Sequence, residues 1–155
     1  MTNADLDACF VVFSQAPAAA VDIDGWDAHA ARFFRTRLSL APVAVPAADS
    51  PGSAVRIAPE GEPASVRRIR ARPRQPGDLA AAEAADTARS GLALLARRCG
   101  TVWLVEREAE DAPLAGSAGL RLAAILASVV LGPILDTRVP ELLGVKSARG
   151  RFEGA

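Results

Sequence analysis

Two short runs of the chain carry apolar residues on both of their alternating faces, and this pattern predicts strands that are covered on both sides. The runs are ACFVVFSQ at residues 8–15 and TVWLVERE at residues 101–108, the second staying apolar up to Glu106. A strand with one face in solvent would alternate apolar and polar side chains. The pattern therefore predicts a sheet with a layer of helices on each face.

Three longer segments have the three- and four-residue apolar spacing of helices. The first covers residues 22–38. The second begins with Asp78 as its N-cap and ends near Cys99, and Gly100 can then adopt the left-handed conformation that closes a helix. The third, around Leu120–Leu131, is apolar on its whole circumference, so it needs burial on more than one side.

The remaining elements are short. Residues 53–60 and 64–74 are predicted to form two strands, because the turn-rich sequence PEGEP between them favours a hairpin. Near the end of the chain, RVPELLG has the proline and glycine arrangement typical of a short helix. Pro140 would stand at its first position and Gly144 just after its end.

The predicted order is strand, helix, strand, strand, helix, strand, helix. The first six elements fit the split β-α-β-β-α-β plan of a ferredoxin-like fold, in the α/β (α+β) class. We expect the additional C-terminal apolar helix to cover the second face of that sheet. A related mixed sheet with the hairpin at its edge stays open, because an arginine-rich strand is unusual at a sheet centre. We expect one domain over residues 1–145 and a flexible tail over residues 146–155.

The most unusual feature of the sequence is VRRIRARPR at residues 66–74, which contains five arginines. Side chains alternate along a strand, so four of them share one face. These are Arg68, Arg70, Arg72 and Arg74. The chain as a whole has 18 Lys and Arg residues against 18 Asp and Glu residues. The basic face is therefore a local feature of a chain with no net charge.

Three interpretations of this face compete. A protein partner is favoured by the planar guanidinium group, and Pro73 and Pro76 suggest an edge strand that could present it. Internal neutralisation is equally open, with Glu60 and Glu62 or the cluster from Glu106 to Asp111 as the carboxylates. Nucleic-acid binding is less favoured, because no aromatic residue is interleaved with the arginines for base stacking. We predict partner binding, with Glu106 and Glu108 as a secondary acidic patch.

Catalytic and metal-binding motifs are scarce. His29 is the only histidine, no serine lies in a G-x-S-x-G elbow, and Cys9 and Cys99 both lie in apolar surroundings. The chain contains neither C-x-x-C nor H-x-x-x-H, and its GSAG segment lacks the phosphate-loop pattern. We therefore predict no catalytic residue, no metal site and no cofactor. An enzyme with an unrecognised site remains the alternative.

Residues 122–135 form an apolar run of fourteen residues without a charge. As a helix it would be about 21 Å long, short of the roughly 30 Å hydrocarbon core of a membrane. The N-terminus has no basic start before its short apolar run, so we predict a cytoplasmic protein without a membrane span. The function predicted is that of a small accessory, regulatory or neutralising subunit that binds protein. A homodimer joined through the apolar helix is an open alternative to burial within the chain.

Overall fold

The computed structural model describes residues 9–16, 23–35, 37–41, 54–59, 67–87, 90–106, 118–137 and 140–153. Within these residues, seven strands form one sheet: β1 (Cys9–Ser14), β2 (Leu38–Ala41), β3 (Ala54–Pro59), β4 (Arg67–Pro73), β5 (Thr101–Glu106), β6 (Ile134–Asp136) and β7 (Glu141–Leu143). Five helices accompany them: α1 (Ile23–Phe34), α2 (Pro76–Ala85), α3 (Leu92–Arg97), α4 (Ala118–Val130) and α5 (Val145–Glu153). The predicted mixed α+β class is confirmed.

The strands follow the order β2-β3-β4-β5-β1-β6-β7, and every neighbouring pair is antiparallel. A ferredoxin-like sheet would place the first predicted strand between the third and the fourth. Here β5 lies between β4 and β1 instead. The two fully apolar strands, β1 and β5, pair over six residues from Cys9–Glu106 to Ser14–Thr101. Both need cover on two faces, and the centre of a layered sheet provides it.

Helices cover both faces of this sheet, but not in the predicted division. On one face, Phe10 and Val12 pack with residues of α1 and α4 and with Ala148 of α5. On the other face, Val11 and Phe13 pack with residues of α2 and α3. The apolar helix α4 therefore shares its face with α1, and α2 with α3 covers the second face. This arrangement buries α4 on more than one side, because its apolar residues contact both the sheet and other helices.

The prediction that the arginine-rich strand lies at an edge is wrong. β4 is an inner strand that pairs with β3 on one side and β5 on the other. The edges are β2 and β7. β2 was not expected, and its pairing with β3 moves the hairpin inward. Pro73 is tolerated because it is the last residue of β4, opposite Thr101.

At three further places, the secondary structure differs from what the local sequence predicts. RVPELLG does not form a closing helix, because Glu141–Leu143 pairs with β6 as strand β7. The expected tail forms α5 over Val145–Glu153, and the burial of Ala148 packs this helix on the core. The single helix expected from Asp78 to Cys99 is divided into α2 and α3, with Gly91 in a left-handed conformation before α3. In the described part of the chain, no helix has the length and apolarity needed to cross a membrane.

Candidate binding surfaces

The arginine strand turns its basic face toward α2 and α3. Arg70 and Arg72 lie opposite Leu104 and Val102 of β5, which belong to the core on that side of the sheet. Arg68 lies in β4, but its side chain is outside the described residues, as are Glu60, Glu62 and Glu108. Glu106 is half-buried at the last position of β5. The predicted arginine and glutamate patches are therefore only partly placed by the structure.

Arg72 forms a buried, two-pronged ion pair with Asp78. Its Nη1 and Nη2 atoms donate to Asp78 Oδ2 and Oδ1 at 2.6 and 2.8 Å. The exposed fraction is 9% for the Arg72 side chain and 0% for Asp78. Asp78 Oδ2 also accepts the backbone N–H of Gln75 at 2.8 Å, which fixes the first turn of α2. Arg72 is thus neutralised within the chain, by a carboxylate that was expected only to cap the helix.

Arg74 binds the other helix on this face. Its Nη1 donates to the carbonyl oxygens of Ala96 and Arg97 at 3.2 and 2.9 Å. These carbonyls lie at the C-terminal end of α3, where a cation is stabilised by the helix dipole. The backbone N–H of Arg74 donates to the Gly100 carbonyl at 2.9 Å. Arg72 and Arg74 therefore fasten the start of α2 and the end of α3 to the sheet.

A cleft of about 520 Å³ opens at the other end of α3. Side chains from four parts of the chain line it, and they are mostly apolar. Among them are Gln15 after β1, Leu92 and Leu95 of α3, Ser128 in α4, Leu131 just after α4, and Val145 of α5. Gln15 Nε2 donates to the Leu131 carbonyl at 2.6 Å, which ties the end of β1 to the end of α4. Sequence reasoning missed this cleft, because no single segment carries it.

His29 stands behind one wall of the cleft. Its Nε2 atom lies 2.7 Å from Ser128 Oγ, in hydrogen-bond contact. Burial, with a smaller contribution from the Arg32 charge, lowers the pKa of His29 from its ordinary value of 6.5. The imidazole is therefore neutral at pH 7, with one ring nitrogen as donor and the other as acceptor. The half-buried ring of His29 packs against Phe33, with 4.6 Å between the ring centroids.

Leu131 has an unusual backbone for a leucine. Its φ angle is +60°, in the left-handed region, and its side chain is 63% exposed. Glycine or asparagine is the usual residue at this position after a helix, because a Cβ atom raises the energy of the left-handed conformation. Leu131 therefore combines two unfavourable features. Its apolar side chain is exposed to solvent, and its backbone has a conformation that is unfavourable for leucine.

Gly132, the next residue, brings this end of α4 against β1. A Cβ atom at Gly132 would lie 1.8 Å from the Phe13 carbonyl oxygen, which no side chain could tolerate. Two backbone bonds complete the contact, from Phe13 N–H to Pro133 O and from Gln15 N–H to Val130 O, both at 3.0 Å. The wall of the cleft is thus fixed by main-chain packing.

Cys9 and Cys99 are both buried, and no disulfide joins them. Burial raises the pKa of the Cys99 thiol to about 11, and the nearby Arg74 charge only partly opposes it. A thiol with such a pKa is protonated and unreactive at neutral pH. Among the described residues, no three His, Cys, Asp or Glu side chains are grouped as a metal site would require.

Comparison with known proteins adds no assignment. No family model matches the sequence, and neither a curated protein nor a solved structure is significantly similar to it. The physical features of the chain alone therefore carry any functional argument.

Proposed function

We propose that this protein works by binding a protein partner, and that the partner docks on the surface around Leu131. The observation that carries the proposal is the exposed leucine in a left-handed conformation. Backbone strain of this kind persists only where the surrounding structure enforces it, and it clusters at functional sites. Glycine or asparagine at this position would relieve it. Burying this exposed side chain against a partner would remove apolar area from water, which favours association.

The arginine face supports this proposal less well than the sequence indicated. Arg72 and Arg74 already bind Asp78 and α3, so their guanidinium groups are held by the fold. The same contacts weigh against the alternative of nucleic-acid binding, since phosphates would have to compete for these groups. Docking through Arg68 and Arg70, with Glu106 and Glu108, stays a hypothesis. Charge reversal of Arg68 and Arg70 together tests it, and unchanged partner affinity would contradict it.

The cellular location and the subunit role of the protein also remain predictions. We propose a cytoplasmic accessory, regulatory or neutralising subunit, because its sequence is poor in catalytic groups. A homodimer is the simplest form that a protein partner could take. The solution mass of the purified chain distinguishes a monomer from a dimer directly.

The partner proposal is tested by placing a photo-reactive amino acid at position 131 in living cells. Position 94 is the matched control, because Leu94 is 64% exposed and Leu131 is 63% exposed. A partner protein should cross-link from position 131 and not from position 94. A cross-linking pattern that is the same from both positions would contradict the proposal.

The captured protein is then purified and its affinity measured against two variants. Leu131→Asn suits the left-handed backbone while removing the apolar contact, and Leu94→Asn makes the same chemical change elsewhere. Loss of an interface anchor predicts that Leu131→Asn weakens binding about tenfold or more. Leu94→Asn should leave the affinity unchanged. Equal effects of the two variants would show that Leu131 is not the anchor.

A further inference from the structure

The chemistry of the cleft points to a second ligand, distinct from the protein partner. None of the described side chains that line the cleft carries an ionisable group. A charged ligand group would lose its hydration there without gaining an opposite charge. The lining therefore favours an uncharged ligand.

Polar atoms in the cleft are few and are held in place. Ser128 Oγ is fixed by His29 at 2.7 Å, and the Gln15 amide is fixed by the Leu131 carbonyl at 2.6 Å. If Ser128 donates to the imidazole, its oxygen accepts from a ligand. If the imidazole donates to Ser128, the hydroxyl can donate to a ligand. A ligand group that both donates and accepts, such as a primary amide or an alcohol, fits either arrangement.

The size of the cleft favours a small molecule over one side chain of a partner. Pockets for small ligands measure roughly 300–1,000 Å³ and combine apolar walls with a few placed polar groups. The cleft, at about 520 Å³, falls in this range and has such walls in Leu92, Leu95 and Val145. Its Gly132 wall is packed directly against β1, so the shape is set by the fold.

We infer that the cleft beside Ser128 binds a small uncharged molecule with an aliphatic body and an amide or hydroxyl head. The body lies against Leu92, Leu95 and Val145, and the head bonds to Ser128 and Gln15. This site adjoins the surface proposed for the partner, and Leu131 belongs to both, but binding of the small molecule needs no second protein.

Four probes with the same six-carbon chain test the inference: hexanamide, 1-hexanol, hexanoate and hexylamine. Each is titrated into the full chain at pH 7, and backbone amide resonances are followed by NMR. Hexanamide and hexanol should give saturable shifts at the cleft residues. Hexanoate and hexylamine should bind at least about tenfold more weakly than the neutral probes. Their charges would lose hydration in the cleft without gaining an opposite charge.

Two serine variants test the role of the polar head group. Ser128→Ala should weaken hexanamide binding about three- to tenfold, the effect of one hydrogen bond. Ser90→Ala is the control, because Ser90 is exposed, donates to Asp86 and is not among the residues that line the cleft. The inference is overturned if neither neutral probe shifts the cleft residues, if all four probes bind equally, or if Ser128→Ala binds hexanamide as well as the parent chain. These outcomes are independent of the cross-linking from position 131, so the two proposals can fail separately.

Discussion

Arg72 binds a carboxylate of its own chain, although its sequence pattern favours a role in binding a protein partner. Strand periodicity correctly places it on one face with Arg70 and Arg74, but periodicity does not reveal what that face meets. The face meets α2, whose Asp78 is fully buried and bonded to Arg72 through both carboxylate oxygens. Internal neutralisation is one of the interpretations that the sequence leaves open, although the sequence suggests other carboxylates, such as Glu60 and Glu62, for it.

Replacing Arg72 with methionine should reduce the free energy of unfolding by about 3–5 kcal/mol, because Asp78 would be left as a buried charge without its partner. The matched control is Arg97→Met, which breaks the exposed ion pair of Arg97 with Glu83. That change should reduce the free energy of unfolding by less than about 1 kcal/mol. Urea unfolding of both variants provides the comparison. Similar losses in the two variants would show that the Arg72 pair is not the stabilising contact described here.

Among the secondary-structure elements, those with a strong local pattern were predictable and the short ones were not. β1, β5 and α4 have apolar patterns that extend over six residues or more, and the structure contains all three. β6 and β7 have three residues each, so they depend on pairing with each other and with β1. Pro140 and Gly144 suggested a helix between them, and strand pairing overrode that local preference.

β2 is held by a contact that also lay outside the reach of pattern analysis. Asp27 of α1 accepts the backbone N–H of Leu38 at 2.8 Å and binds Arg37 Nη2 at 2.7 Å. The hydrogen bond from Leu38, followed by the one from Arg37, lowers the pKa of Asp27 from its ordinary value of 3.8. The carboxylate thus links the first helix to the edge strand that follows it.

The interactions of Asp27 should make the free energy of unfolding depend on pH in the acidic range. Because the pKa of Asp27 is lower in the folded chain, its contribution is complete above the unfolded value of 3.8 and is lost as the pH falls through the folded pKa. In Asp27→Asn, the free energy of unfolding should therefore fall less steeply with decreasing pH below 3.8 than in the parent chain. Urea unfolding at a series of pH values would detect the difference. If the variant and the parent chain lose stability in parallel over that range, Asp27 does not provide the link.

For the whole molecule, the candidate sites could be predicted only in part. The sequence drew attention to His29 and to the arginines, and the structure gives each a defined neighbour. The cleft was out of reach, because Gln15, Leu95, Ser128 and Val145 come from distant parts of the chain. Leu131 was also missed, since leucine is not the residue expected in a left-handed conformation after a helix.

We propose that Leu131 serves binding at the expense of stability, and urea unfolding of Leu131→Gly is the sharpest test of this proposal. Glycine relieves the left-handed strain, so the variant should gain about 1 kcal/mol in the free energy of unfolding. The same substitution at Leu94, within helix α3, should lose about 1 kcal/mol. A loss of stability in Leu131→Gly would contradict the proposed role of Leu131, because it would show that the leucine side chain stabilises the fold.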